Sequence, residues 1–75
     1  MKIEIIGYKD ALQSSLYKAV KKAIIKKRII AGIEIIPESK KPANYYHSAT
    51  PALYINGTLI CSGMVPQAAV LEDAL

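Results

Sequence analysis

Residues 50–66 read TPALYINGTLICSGMVP, and this stretch decides the fold. Two alternating apolar runs, residues 52–55 and 59–61, flank Asn56 and Gly57. The Asn-Gly pair predicts a tight β-hairpin, because both residues of such a turn must adopt a positive φ. Pro51 opens the first strand, where a missing N–H is tolerated, and Gly63 with Pro66 ends the second strand. The sequence therefore predicts a β-hairpin followed by a terminal helix.

Length and composition limit the class of protein. The 75 residues predict one domain, residues 1–75, which buries about 60–65% of its unfolded surface. The 52% hydrophobic content is far above that of a disordered chain. No apolar run reaches the roughly 18 residues that span a bilayer, and the first residues do not form a signal peptide. We therefore expect a soluble, cytoplasmic protein without a membrane partner.

The cysteine count and the charge limit the chemistry. Cys61 is the single cysteine, which excludes an internal disulfide and every metal site that needs two or four cysteines. The formal net charge of +4 raises nucleic acid or an acidic membrane as partners but selects neither. The sequence predicts no metal site and no cofactor.

The first half of the chain predicts a strand, a long helix and a second strand. Residues 1–6 predict a strand that ends at Gly7, because Ile3, Ile5 and Ile6 are β-branched, and apolar residues on both sides favour a central position covered on both faces. Asp10 and Gln13 have the spacing of a capping box at a helix start. A core stripe then recurs at helical spacing: Leu12, Leu16, Ala19, Val20, Ala23 and Ile24. The solvated side of this helix is basic: Lys18, Lys21, Lys22, Lys26 and Arg28.

The second half supplies the remaining elements. Residues 29–36 predict a strand that Pro37 ends, parallel to the first strand through a βαβ unit. Residues 38–48 predict a short helix of about two turns, whose start is limited by Pro42. The hairpin and a final helix over residues 66–75 complete the order β-α-β-α-β-β-α. The fold class is α/β, with a four-stranded mixed sheet and helices on both faces, the first and third on one and the second on the other.

This order and several motifs resemble the small archaeal and bacterial thioredoxin-like, or glutaredoxin-like, proteins. The resemblance covers nearly the whole chain and is carried by the opening Met-Lys-Ile, Gly7, the Thr50-Pro51 pair, the Asn-Gly turn and residues 63–66. It implies a cis peptide bond before Pro51. It also implies a redox Cys-x-x-Cys motif at residues 10–13, but this chain has Asp10-Ala11-Leu12-Gln13 there.

A chain without these two cysteines lacks both the attacking thiolate and the resolving thiol of thiol-disulfide exchange. At the same position Asp10 is interpreted as a helix cap. The resemblance implies that the residue before the proline, Thr50, offers its backbone N–H and C=O to an extended peptide or to glutathione. This mode of recognition needs no cysteine. The predicted groove is formed by Lys9, Asp10, Ala11, Thr50, Pro51, Gly63 and Met64. The sequence thus favours a redox-inactive binding or assembly module.

Several alternatives remain open from the sequence. Cys61 is either a small buried hydrophobe that shares a face with Leu59 or the centre of a weak monothiol oxidoreductase. His47 is interpreted as a loop residue and not a metal ligand, and Tyr45 and Tyr46 as one packed and one exposed ring. The lysines of the first helix raise nucleic-acid binding, but no aromatic platform accompanies them. Residues 33–36, with Ile33, Ile35 and Ile36, predict an edge strand through which the chain forms a homodimer.

Overall fold

A computed structural model describes residues 1–45 and 49–75. They form a four-stranded mixed sheet in the order β2-β1-β3-β4. The strands are β1 (Ile3–Gly7), β2 (Ile33–Pro37), β3 (Ala52–Ile55) and β4 (Thr58–Ser62). β1 pairs in parallel with β2 and antiparallel with β3. All five residues of β1 are buried, as predicted for a central strand covered on both faces.

The helix α1 (Ala11–Lys26) begins at the predicted cap. The Oδ1 atom of Asp10 accepts a hydrogen bond of 2.8 Å from the backbone N–H of Gln13. The Gln13 side chain does not complete the predicted capping box at Asp10 and extends instead to Gly7. Its Nε2 donates to the carbonyl oxygen of Gly7 at 3.3 Å, and the Gln13 side chain is buried. This bond ties the start of α1 to the end of β1.

The far end of α1 closes as a Schellman motif. The N–H of Ile29 donates to the carbonyl of Ile24 at 2.9 Å, and the N–H of Arg28 donates to the carbonyl of Ile25 at 3.1 Å. The motif needs a residue with a left-handed backbone, and Arg28 adopts it with φ 56°. Ile29 also packs against the core that contains Ile24, so the motif carries its usual apolar contact.

One face of the sheet is covered by α1 and by the terminal helix α2 (Ala68–Ala74). Their shared core contains Leu16, Val20 and Leu71, which are almost completely buried over Ile5 and Leu53. Most of the predicted stripe of α1 faces this core. Leu12 is an exception at 41% exposure, because Gln13 and not Leu12 turns towards the sheet at the helix start. No helix in the described residues is long and apolar enough to span a membrane.

The other face is covered differently from the prediction. Within the described part of residues 38–48 there is no second α-helix, only two single 3-10 turns, Glu38–Lys40 and Ala43–Tyr45. The residue before a proline is disfavoured in the helical region, and Lys41, which precedes Pro42, has an extended ψ of 125°. Pro42 therefore separates the two turns from each other.

Tyr45 takes the place of that helix in the second core. Its ring stacks on Tyr54 with centroids 3.7 Å apart, beside Ile6, Ile36 and Ala52. Its hydroxyl donates a hydrogen bond of 2.9 Å to Oε1 of Glu4, whose buried side chain also lies 3.6 Å from the Lys2 ammonium. A single aromatic side chain thus fixes the turn to the sheet and satisfies a buried carboxylate.

The predicted turn of the hairpin is confirmed, but the pairing register of its two strands differs from the prediction. Asn56 and Gly57 have φ of 52° and 83°, as a two-residue turn of this type requires. A β-bulge between Leu53 and Tyr54 pairs Cys61 with Leu53 but Leu59 with Tyr54. Because Leu53 and Tyr54 belong to the cores on opposite faces, Leu59 and Cys61 do not share a face as predicted.

Candidate functional site

The residues predicted to form a groove lie where the end of β1, the start of β3 and the end of β4 meet the start of α1. Gly7 packs so closely on the proline segment that a Cβ at Gly7 would lie 3.1 Å from the Pro51 Cα and 3.3 Å from the Thr50 Cβ. Gly7 also has φ +154°, which side chains rarely adopt. Glycine is therefore required here both by space and by backbone conformation.

The proline segment is held from its other side by the end of β4. The peptide bond between Thr50 and Pro51 is cis. The Pro51 carbonyl accepts a hydrogen bond of 2.8 Å from the N–H of Gly63, and a Cβ on Gly63 would lie 3.5 Å from the Ala49 Cβ. The backbone N–H and C=O of the half-buried Thr50 make no hydrogen bond with any described residue. Among the described residues, the backbone donor and acceptor of Thr50 are therefore unengaged, next to a proline that is held in place.

The remaining predicted residues flank this segment. Lys9, Asp10 and Ala11 follow Gly7 directly and are exposed, and Met64 follows Gly63 and is also exposed. Asp10 occupies the position where the resemblance implies the attacking cysteine, and its carboxylate is committed to capping α1. The structure thus brings three predicted segments, residues 9–11, 50–51 and 63–64, to one end of the sheet.

A pocket of about 460 Å³ adjoins this end and was not predicted from the sequence. It lies past the carboxyl ends of the parallel strands β1 and β2, where open α/β sheets commonly bind ligands. Its lining combines Gly7, Lys9 and Gln13 with Tyr8, Ile35, Pro37, Glu38 and Ser39. Glu38 keeps one buried carboxylate oxygen, Oε2, without a hydrogen-bond partner among the described residues. The parallel pairing of the first two strands is the sequence signal that could have located this pocket.

Cys61 lies away from the groove. It is half-buried in β4, opposite Leu53, and packs against the core beneath α1 and α2. Burial raises the pKa of its thiol, and a hydrogen bond with the Leu53 backbone opposes this only in part. A thiol in such surroundings is largely protonated at neutral pH and is a poor nucleophile.

The other candidates that lie in the described ranges, 1–45 and 49–75, add no second site. The described residues contain no group of three or more His, Cys, Asp and Glu side chains that could hold a metal ion. Tyr45 is buried and stacked within the protein, as expected for the packed ring of the tyrosine pair. Tyr46 and His47 lie outside the described residues.

A mixed sheet of this order, with α1 starting beside a cis-proline at the head of β3, defines a thioredoxin-like fold. The chain matches the family model described as "Thioredoxin domain" over residues 1–75, so it belongs to that family. The resemblance drawn from the sequence is thereby confirmed. Searches of curated proteins and of solved structures found no match to this chain.

Proposed function

We propose that this thioredoxin-family chain binds an extended peptide segment of a partner protein and performs no thiol-disulfide exchange. The observation that carries the proposal is the free backbone of Thr50 next to Pro51. An extended peptide that lies alongside Thr50 can accept a hydrogen bond from its N–H and donate one to its C=O. Such strand addition takes its affinity from main-chain bonds, while pockets for side chains supply specificity.

The pocket beside Gly7 is the place for one side chain of that peptide. Its walls include the rings of Tyr8 and Pro37 and the aliphatic side chain of Ile35, which favour an apolar side chain. Gly7 lines the pocket and also packs closely on the Thr50-Pro51 segment, so the pocket lies next to the Thr50 backbone.

The chemistry at the helix start supports binding without redox turnover. Exchange needs a nucleophilic thiolate and a resolving thiol, and residues 10 and 13 are Asp and Gln. Both side chains are already engaged, Asp10 as the cap and Gln13 with the Gly7 carbonyl. Cys61 as a lone monothiol centre is disfavoured by its burial and by its raised pKa.

The experiment is a selection of linear peptides, displayed on phage, against the native chain. Bound peptides are then measured against Gly7→Ala, in which the new methyl group pushes on Pro51 and Thr50. The matched control is Gly32→Ala, because a Cβ at Gly32 meets no atom within 4 Å. We expect peptides that bind the native chain and Gly32→Ala equally and bind Gly7→Ala at least about tenfold more weakly, a loss of roughly 1.4 kcal/mol.

A second pair of variants tests the groove independently of Gly7→Ala, because a folding defect in Gly7→Ala would also weaken binding. Met64→Glu places a charge on an exposed side chain at the groove, and Leu59→Glu does so on an exposed side chain of the hairpin. Binding weakened by Met64→Glu and not by Leu59→Glu supports the groove. If the selected peptides bind Gly7→Ala and Met64→Glu as tightly as they bind the native chain, the binding site lies elsewhere and the proposal is overturned.

Assembly with a second copy is the other part of the proposal. β2 is an edge strand, paired on one side only, and Ile35 on it is exposed. Unpaired edge strands present rows of N–H and C=O groups to another chain. We propose that β2 pairs antiparallel with β2 of the second copy about a two-fold axis at Ile35. Ile35 then lies opposite Ile35 of the second copy, and the two copies of Glu34 do not lie opposite each other.

A further inference from the structure

The charge of this chain is distributed very unevenly. Residues 11–33 contain six of the ten Lys and Arg residues and not one Asp or Glu. The rest of the chain carries four Lys against six acidic residues. The net charge of +4 is therefore +6 on α1 and the segment after it, and −2 elsewhere.

Two exposed isoleucines lie among these cations. Ile25, in the last turn of α1, is 66% exposed, and Ile30, just past the Schellman motif, is fully exposed. Lys21 and Lys22 precede Ile25 by four and three residues, so they lie beside it on the outer face of the helix. Arg28 lies between the two isoleucines in sequence. A single exposed isoleucine needs no explanation, but two within six residues, flanked by cations, make this end of α1 both apolar and basic.

We propose that this basic end of α1, formed by Lys18, Lys21, Lys22, Ile25, Arg28 and Ile30, docks on the surface of an anionic lipid bilayer. Isoleucines that enter the boundary between headgroups and acyl chains, with cations at the headgroup level, are the elements of interfacial binding. The sequence expectation of no membrane partner rested on the length of apolar runs, which decides spanning and not surface docking.

The composition of this surface favours lipid over nucleic acid. Exposed aliphatic side chains gain free energy by entering an acyl layer and gain nothing from phosphates, and this surface has no aromatic ring on which a base could stack. In addition, Lys26 and Lys27 are bound to Glu72 of α2, at 3.3 Å to its carboxylate and 2.6 Å to its backbone carbonyl. Lys26 and Lys27 are therefore engaged with α2 and are not counted in the proposed surface.

Docking by this end leaves the peptide groove accessible. α1 has sixteen residues and is about 24 Å long. The groove lies at its first residues, and the basic surface lies at its last turns. A chain that rests on a membrane by this end would hold the groove on the side away from the lipid.

The test is co-sedimentation of the native chain with vesicles of phosphatidylcholine and phosphatidylserine, beside vesicles of phosphatidylcholine alone. We expect binding to the anionic vesicles that falls as salt rises, because the Debye length shortens. Ile30→Ser should lower the partition coefficient by roughly tenfold. Lys22→Gln should lower it by roughly fivefold. Neither substitution removes a buried side chain, so both variants keep the fold.

Matched controls give the experiment its specificity. Leu59→Ser removes an exposed aliphatic side chain outside this surface, and Lys40→Gln removes one exposed charge outside it. Both should bind vesicles as the native chain does. The proposal is overturned if the native chain ignores anionic vesicles. It is also overturned if the controls lose as much binding as the surface variants, or if Lys22→Gln weakens binding to random-sequence DNA while vesicle binding is unchanged.

Discussion

At the scale of single residues, the contact between Tyr45 and Glu4 decides how the second face of the sheet is closed. Glu4 is buried on the central strand, and the Tyr45 hydroxyl is the donor that satisfies its Oε1. We expect Tyr45→Phe to lower the free energy of unfolding by about 1–3 kcal/mol, because it leaves a buried acceptor without its donor. Urea unfolding measures the loss. Tyr8→Phe, at an exposed tyrosine, is the control and should change little.

The same contact predicts a pH dependence. The hydrogen bond to Glu4 and burial raise the pKa of Tyr45 above its usual value of about 10. A raised folded pKa gives stability that is fully present below the unfolded pKa and is lost as pH rises through the folded pKa. The stability difference between the native chain and Tyr45→Phe should therefore shrink above pH 10. A difference that stays constant across this range would argue against the bond.

Cys61 gives a second prediction at this scale. Because burial raises its pKa, the thiolate fraction at neutral pH is below that of a free cysteine. We expect alkylation by iodoacetamide at pH 7.5 to be severalfold slower in the native chain than in denaturant, where the thiol is exposed. Alkylation that is faster in the native chain would reverse this conclusion and make Cys61 a reactive centre.

At the scale of elements, the end of α1 contains a strained residue. Arg28 holds φ 56° in the Schellman motif, and a non-glycine residue pays about 1–2 kcal/mol for that conformation. We expect Arg28→Gly to raise the free energy of unfolding by about 0.5–1 kcal/mol, the relief of strain less the entropy of a more flexible unfolded chain. Thermal unfolding should show a melting temperature higher by a few degrees.

The control for that prediction is Lys21→Gly, at an exposed position inside α1. Glycine there should cost about 1 kcal/mol, since no left-handed backbone is needed. If Arg28→Gly and Lys21→Gly are destabilised equally, the interactions of the Arg28 side chain stabilise the fold by more than the strained Arg28 backbone destabilises it.

Elements fixed by local chemistry could be predicted from the sequence. Asn56-Gly57 and the Asp10 cap each act within a few residues, and both are confirmed. The second predicted helix is not found in the described part of residues 38–48, which forms two 3-10 turns separated at Lys41 and Pro42. The bulge in the hairpin has no glycine or proline to reveal it, so simple alternation placed Cys61 with Leu59.

The residues of the candidate site also fall into a group that the sequence predicts and a group that it does not. Thr50, Pro51 and Gly63 belong to motifs readable in sequence. The pocket depends on Tyr8, Ile35 and Glu38, which meet only because the ends of β1 and β2 lie side by side. Whether a side chain lines such a pocket is decided by tertiary packing, and no periodicity encodes it.

At the scale of the whole molecule, the two edges of the sheet offer a matched comparison. Ile35 on β2 and Leu59 on β4 are each 46% exposed, and each strand is paired on one side only. β2 is proposed to pair with a second copy about Ile35, so Ile35→Lys would set two ammonium groups opposite each other across the dimer axis. Leu59→Lys adds the same charge at the same exposure on the other edge.

We expect the native chain to sediment as a dimer at high concentration, Ile35→Lys to raise the dimer dissociation constant by at least about tenfold, and Leu59→Lys to leave it unchanged. Analytical ultracentrifugation over a range of concentrations measures all three. A native chain that stays monomeric throughout would rule out the pairing. If Leu59→Lys dissociates the dimer and Ile35→Lys does not, β4 is the interface. That outcome would move the interface away from Ile35, which also lines the pocket, and would separate assembly from peptide binding.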